Sequence, residues 1–142
     1  MAFSILGCDQ KESKPKSVDK PLAVVRSELE DPNGNFVLWV GNQSFAITPV
    51  DIRVTLDGVP VLHKYFAVGN QHNWEKYTFR LKPGQHTLKA TTKKGSSTIS
   101  RQFDVQGKHW AVLDYWFYPN SHFSPTPRQF MFQIKGKPIG FR

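Results

Sequence analysis

From residue 36 onward the chain alternates short apolar-rich runs with turn-forming residues, and within several runs apolar and polar side chains alternate one by one. A period of two is the signature of a half-buried strand, because successive side chains of a strand point to opposite faces. Ile52, Val54 and Leu56 fall on one side of such a run, with Asp51, Arg53 and Thr55 on the other. Asp57-Gly58 then closes a hairpin, since both residues tolerate the positive φ that tight hairpin turns require. The return strand runs from Val59 or Pro60 to about Val68 and leads into a longer loop, Gly69-Asn70-Gln71-His72-Asn73. Phe36 to Val40 forms the first strong strand, and Val24 with its neighbours supplies an earlier one.

Tyr77, Phe79 and Leu81 alternate with Lys76, Thr78, Arg80 and Lys82 ahead of a Pro83-Gly84 turn. A two-residue connection there sets Leu81 opposite His86, Phe79 opposite Leu88 and Tyr77 opposite Ala90. The other side of that hairpin then carries Lys76, Arg80 and Lys89 as one basic face. Lys94-Gly95 leads into Thr98 to Val105, and Gln106-Gly107 into His109 to Tyr118, which is apolar on both sides like a central strand. Phe130, Phe132 and Ile134 line one side of a last strand. The expected fold is all-β: an immunoglobulin-like two-sheet antiparallel sandwich joined mostly by meander hairpins, preferred over a closed barrel.

One domain accounts for the 142 residues, and no apolar run approaches the ~20 residues that span a bilayer, which excludes a multi-pass membrane protein. Cys8 is the only cysteine, so no intramolecular disulfide forms and packing must carry stability. Charge divides unevenly. Residues 21–75 hold three Lys/Arg against six Asp/Glu, and residues 76–142 hold twelve against two. That basic half is a candidate surface for an anionic partner; solvated strand faces are the alternative.

Residues 3–8, Phe-Ser-Ile-Leu-Gly-Cys, resemble a bacterial lipobox, in which Ile5, Leu6 and Gly7 precede a cysteine that becomes the lipidated first residue. The resemblance implies lipidation at Cys8, a bacterial envelope location and a domain held outside the cytoplasm. It divides the chain into a truncated signal-like segment (1–7), a flexible polar tether (8–21) and the sandwich (22–142), the tether being too polar to bury a core. The stretch Phe79 to Leu88 also resembles the strand, Pro-Gly turn and His-x-Leu strand of bacterial immunoglobulin-like and fibronectin-like domains, which bears on fold alone.

No local catalytic signature is present: there is no Gly-x-Ser-x-Gly, no His-Glu-x-x-His and no phosphate-cradling glycine loop. His63, His72, His86, His109 and His122 are scattered singly, and neither a metal nor a cofactor is expected. His86 reads as a hydrogen-bonded core or edge residue. Asp114 stands inside an aromatic run, where a buried carboxylate needs partners; an ion pair or backbone contact is the structural reading and a site acid the functional one. Trp74, Tyr115, Trp116, Phe117, Tyr118 and Phe123 concentrate the aromatics. Either Tyr115 and Phe117 or Trp116 and Tyr118 must face a second layer, which is the segment Pro119 to Pro127 or a ligand.

The expected function is a non-enzymatic envelope lipoprotein that binds a protein or an anionic envelope polymer through Trp74, Trp116, Tyr118, Lys76, Arg80 and Lys89. The alternative is a carbohydrate-binding module with Trp74 and Trp116 as stacking platforms. Nucleic acid is not expected, because export removes it.

Overall fold

The computed structural model describes residues 27–69, 73–120 and 124–141. The strand expected around Val24, the lipobox-like segment, Cys8, the tether, His72, His122 and Phe123 lie outside the described residues. The described residues form eight strands: β1 (Phe36–Asn42), β2 (Val50–Leu56), β3 (Val59–Phe66), β4 (Trp74–Phe79), β5 (Gly84–Thr92), β6 (Ser97–Val105), β7 (His109–Tyr118) and β8 (Thr126–Lys135). They build an all-β sandwich of two four-stranded sheets, ordered β4-β1-β7-β8 (sheet A) and β3-β2-β5-β6 (sheet B).

Alternation decides which side of each strand is buried. Ile52, Val54 and Leu56 of β2 meet Phe36, Leu38 and Val40 of β1 and Ala111, Leu113 and Tyr115 of β7 in one core. Each large side chain so buried contributes roughly 2 kcal/mol. Phe36 stacks on Phe103 from the opposite sheet with ring centroids 5.0 Å apart, and the Tyr115 hydroxyl donates to the Gly95 carbonyl in the β5–β6 turn at 2.7 Å. At one side of the sandwich, Lys64 of β3 pairs with Glu75 of β4 across the two sheets. At the other, β6 packs on β8.

Three hairpins are local, β2–β3, β5–β6 and β7–β8. Asp57 and Gly58 take the expected positive φ, 52° and 81°. The expected hairpin across Pro83-Gly84 does not form. β4 pairs with β1, setting Phe79 opposite Phe36, and β5 pairs with β2 and β6. Phe79 and Leu88 do both point inward, but from opposite sheets, so Pro83-Gly84 carries the chain across the sandwich. Gln106-Gly107 likewise crosses from sheet B to sheet A. The pairing of β1 with β7 is parallel, as strands joined through another sheet are free to be.

Candidate functional site

Sheet A places its outward side chains in rows. Trp74, Gly41, Asp114 and Met131 form one row; Lys76, Trp39, Val112 and Gln133 the next; Thr78, Val37, Trp110 and Lys135 a third. Trp116, paired with Gln129, extends the grid beyond Asp114. All four tryptophans of the chain therefore project from one face. Each is half-buried, Val112 between them is buried, and Met131 is 53% exposed.

Gly41 makes the centre of this face possible. The Trp74 ring lies across it, and its indole N–H donates to Asp114 Oδ1, two strands away, at 2.6 Å. A Cβ at position 41 would meet the Asn73 carbonyl oxygen at 2.8 Å, Gln43 Nε2 at 2.9 Å and Trp74 Cδ1 at 3.0 Å. Beyond the end of β1, residues 43 and 44 continue beside β7: the Gln43 N–H donates to the Tyr115 carbonyl, and Ser44 Oγ donates to the Phe117 carbonyl. This run brings the Gln43 amide within 3.5 Å of Asp114 Oδ1. The Gln43 carbonyl also accepts a bond from the Tyr118 hydroxyl.

Asp114 is thus held by neutral donors, an indole and an amide, in place of the expected ion pair or backbone contact. Burial pushes its carboxyl up to about 6 against the lowering effect of those two bonds. Its second oxygen accepts no hydrogen bond from the described residues. The choice left open in β7 is resolved by its register. Tyr115 is in the core with Phe117 packed beside it, whereas Trp116 faces outward, in ring contact with Tyr118 at 5.8 Å.

The segment after β8 turns back over this face. Phe141 stacks on Trp74 with centroids 4.2 Å apart at 27°, and meets Trp39 edge-on at 5.1 Å and 68°. Lys76 Nζ stands 5.8 Å from the centre of the Trp39 ring and Lys108 Nζ 5.5 Å from that of Trp110, within reach of cation–π attraction.

Of the six residues named from the sequence, Trp74, Trp116, Tyr118 and Lys76 gather at sheet A. Lys89 does not; it lies on the outward face of sheet B opposite Ser100. Arg80 lies just past the end of β4, where Nε donates to Asp31 Oδ2 at 2.8 Å and Nη2 to the Asn33 carbonyl at 2.6 Å. The single basic face fails with the hairpin that was to build it, because β4 and β5 turn their outer sides in opposite directions. Arg80 instead lines an open groove of about 800 Å³ at one end of the sandwich with Asp31, Asp57 and His86. His86 bonds Asp57 and the Lys82 carbonyl, each at 2.6 Å, as expected of a hydrogen-bonded edge residue.

Trp39, Trp110, Gln43, Gly41, Met131 and Phe141 complete the face and were not singled out. For the first two the signal existed: a period of two through the apolar runs Phe36–Val40 and His109–Tyr118 sends Trp39 and Trp110 outward with Trp116. Among the described residues, no three His, Cys, Asp or Glu side chains gather where a metal ion could be held. Comparison with protein-family models, with curated proteins and with solved structures returns no match.

Proposed function

We propose that this chain is a non-enzymatic bacterial envelope lipoprotein, anchored through Cys8, whose sandwich docks a protein partner on the tryptophan face of sheet A. The observation that carries this reading is the seat that Trp39 and Trp74 give to Phe141: a polypeptide segment with an aromatic side chain is accepted there by stacking. Exposed Met131 and half-buried Trp116 and Tyr118 extend the same surface. An anionic polymer is less well matched. Lys76, Arg80 and Lys89 do not converge, and ionised Asp114 at the centre of the face repels anions.

A neutral glycan is the second reading, favoured by one feature. Asp114 has an oxygen without a partner among the described residues, beside tryptophan rings on which a sugar would stack. The two readings differ in what is retained on the immobilised chain from an envelope extract, a protein or a glycan. Either way, Trp116→Ala and Met131→Glu should reduce retention at least tenfold, with Lys89→Glu and raised salt having little effect. Loss of retention on Lys89→Glu and on raising salt, with the sheet A variants unchanged, would overturn the assignment of the face. The anchor is tested by labelling with a palmitate analogue, which Cys8→Ser should abolish.

A further inference from the structure

We infer that the slot between Trp39 and Trp74 is a receptor site for an aromatic residue of a partner peptide, held closed in the free chain by Phe141 of the same molecule. The inference rests on the docking face proposed above and names the chemistry it recognises. Phe141 makes the two contacts an incoming ring would make, face to face on Trp74 and edge-on to Trp39. The Trp74 platform exists without the occupant, because its ring is fixed from below by Asp114 and by the absence of a side chain at Gly41.

The occupant, in contrast, is lightly held. Residues 137–141 make no hydrogen bond to the rest of the described chain; Lys137, Pro138 and Gly140 are exposed, and only Ile139 and Phe141 are half-buried. One aromatic pair is a small part of what a peptide gains on binding, so a partner peptide with further contacts exceeds it. Phe141 is only six positions beyond the end of β8, and a short connection of that kind supplies an effective concentration on the order of millimolar. A free peptide with the intrinsic affinity of the Phe141 segment therefore competes for the slot only above millimolar concentration, whereas a tighter one displaces Phe141 at proportionally lower concentration.

The experiment uses the full chain and the peptide Lys-Pro-Ile-Gly-Phe, which copies residues 137–141, with tryptophan fluorescence as the readout. Phe141→Ala should take up the peptide saturably. The unchanged chain should do so at least tenfold more weakly, a ratio that corresponds to about 90% closure. A peptide with Ala in place of Phe should bind neither. Phe141→Leu, which keeps an apolar group and loses the ring, should fall between, and it decides the matter if Phe141→Ala loses its β-sheet circular dichroism. No uptake by a folded Phe141→Ala or Phe141→Leu chain overturns the receptor slot. Equal uptake by the unchanged chain overturns its closure by Phe141. Both failures leave the wider docking face standing if Trp116→Ala still abolishes retention from an envelope extract, and that face falls only if Trp116→Ala is silent as well.

Discussion

The two outward faces of the sandwich are built on the same strand geometry and have opposite chemistry. On sheet B, Thr55, Thr87, Thr91, Thr98, Ser100 and Gln102 alternate with the buried core residues, and Arg53 and Lys89 stand among them. This is the solvated face that an antiparallel sheet ordinarily turns to water. Sheet A turns four tryptophans, two buried valines and an exposed methionine the same way, around a carboxylate whose pKa is raised by burial. The contrast separates what a sandwich requires from what this one adds. A face like that of sheet B suffices for folding and solubility, whereas a contiguous aromatic face calls for a cover, and Phe141 supplies part of it.

The comparison breaks most readily at Gly41. Gly41→Val should cost about 3 kcal/mol in urea unfolding, because the new side chain collides with the Asn73 carbonyl and the Trp74 ring. A cost below about 0.5 kcal/mol would mean that Trp74 does not lie across the strand. Next in size is a pH effect specific to sheet A. Since the folded chain holds the Asp114 proton more tightly than the unfolded chain, with the pKa raised from 3.8 to about 6, this group's contribution to stability is complete below about pH 4 and lost as pH rises through about 6. The loss is on the order of 2–3 kcal/mol. Asp114→Asn keeps an acceptor for Trp74 and removes the ionisation. The stability of Asp114→Asn relative to the unchanged chain should therefore grow across that window; a difference that stays constant from pH 4 to 7 contradicts it. The ion pair or backbone contact expected from the sequence would instead make Asp114→Asn lose stability at every pH where Asp114 is ionised.

Smaller again, Phe141→Ala should lower stability by about 1 kcal/mol, the scale of an aromatic pair, and increase tryptophan quenching by acrylamide. Smallest is Lys89→Ala on sheet B, within about 0.5 kcal/mol of the unchanged chain, as for an exposed strand lysine. A larger loss would show that the polar face is more than a solvated one.

The strands were legible because alternation and turn residues are local properties. His109 to Tyr118 and the ends of the Asp57-Gly58 hairpin fall where the pattern puts them. What was not legible is which sheet a strand joins. Pro83-Gly84 has turn chemistry whether the chain returns alongside itself or crosses the core, and the inward positions of Phe79 and Leu88 satisfy both arrangements. The site followed the same division. Trp74, Trp116 and Lys76 were found as residue types, but the row joining Trp74, Gly41 and Asp114 depends on β1 lying between β4 and β7, which no local period encodes. Phe141 reaches its seat by a chain reversal beyond the last strand and leaves no periodic trace.

The docking claim is tested most directly by photo-crosslinking in intact cells, with the same photoreactive residue placed in turn at Gln129 or Met131 on sheet A and at Lys89 or Gln102 on sheet B. Adducts to one partner from the sheet A positions alone are the predicted result. Adducts from the sheet B positions, with none from sheet A, would contradict it.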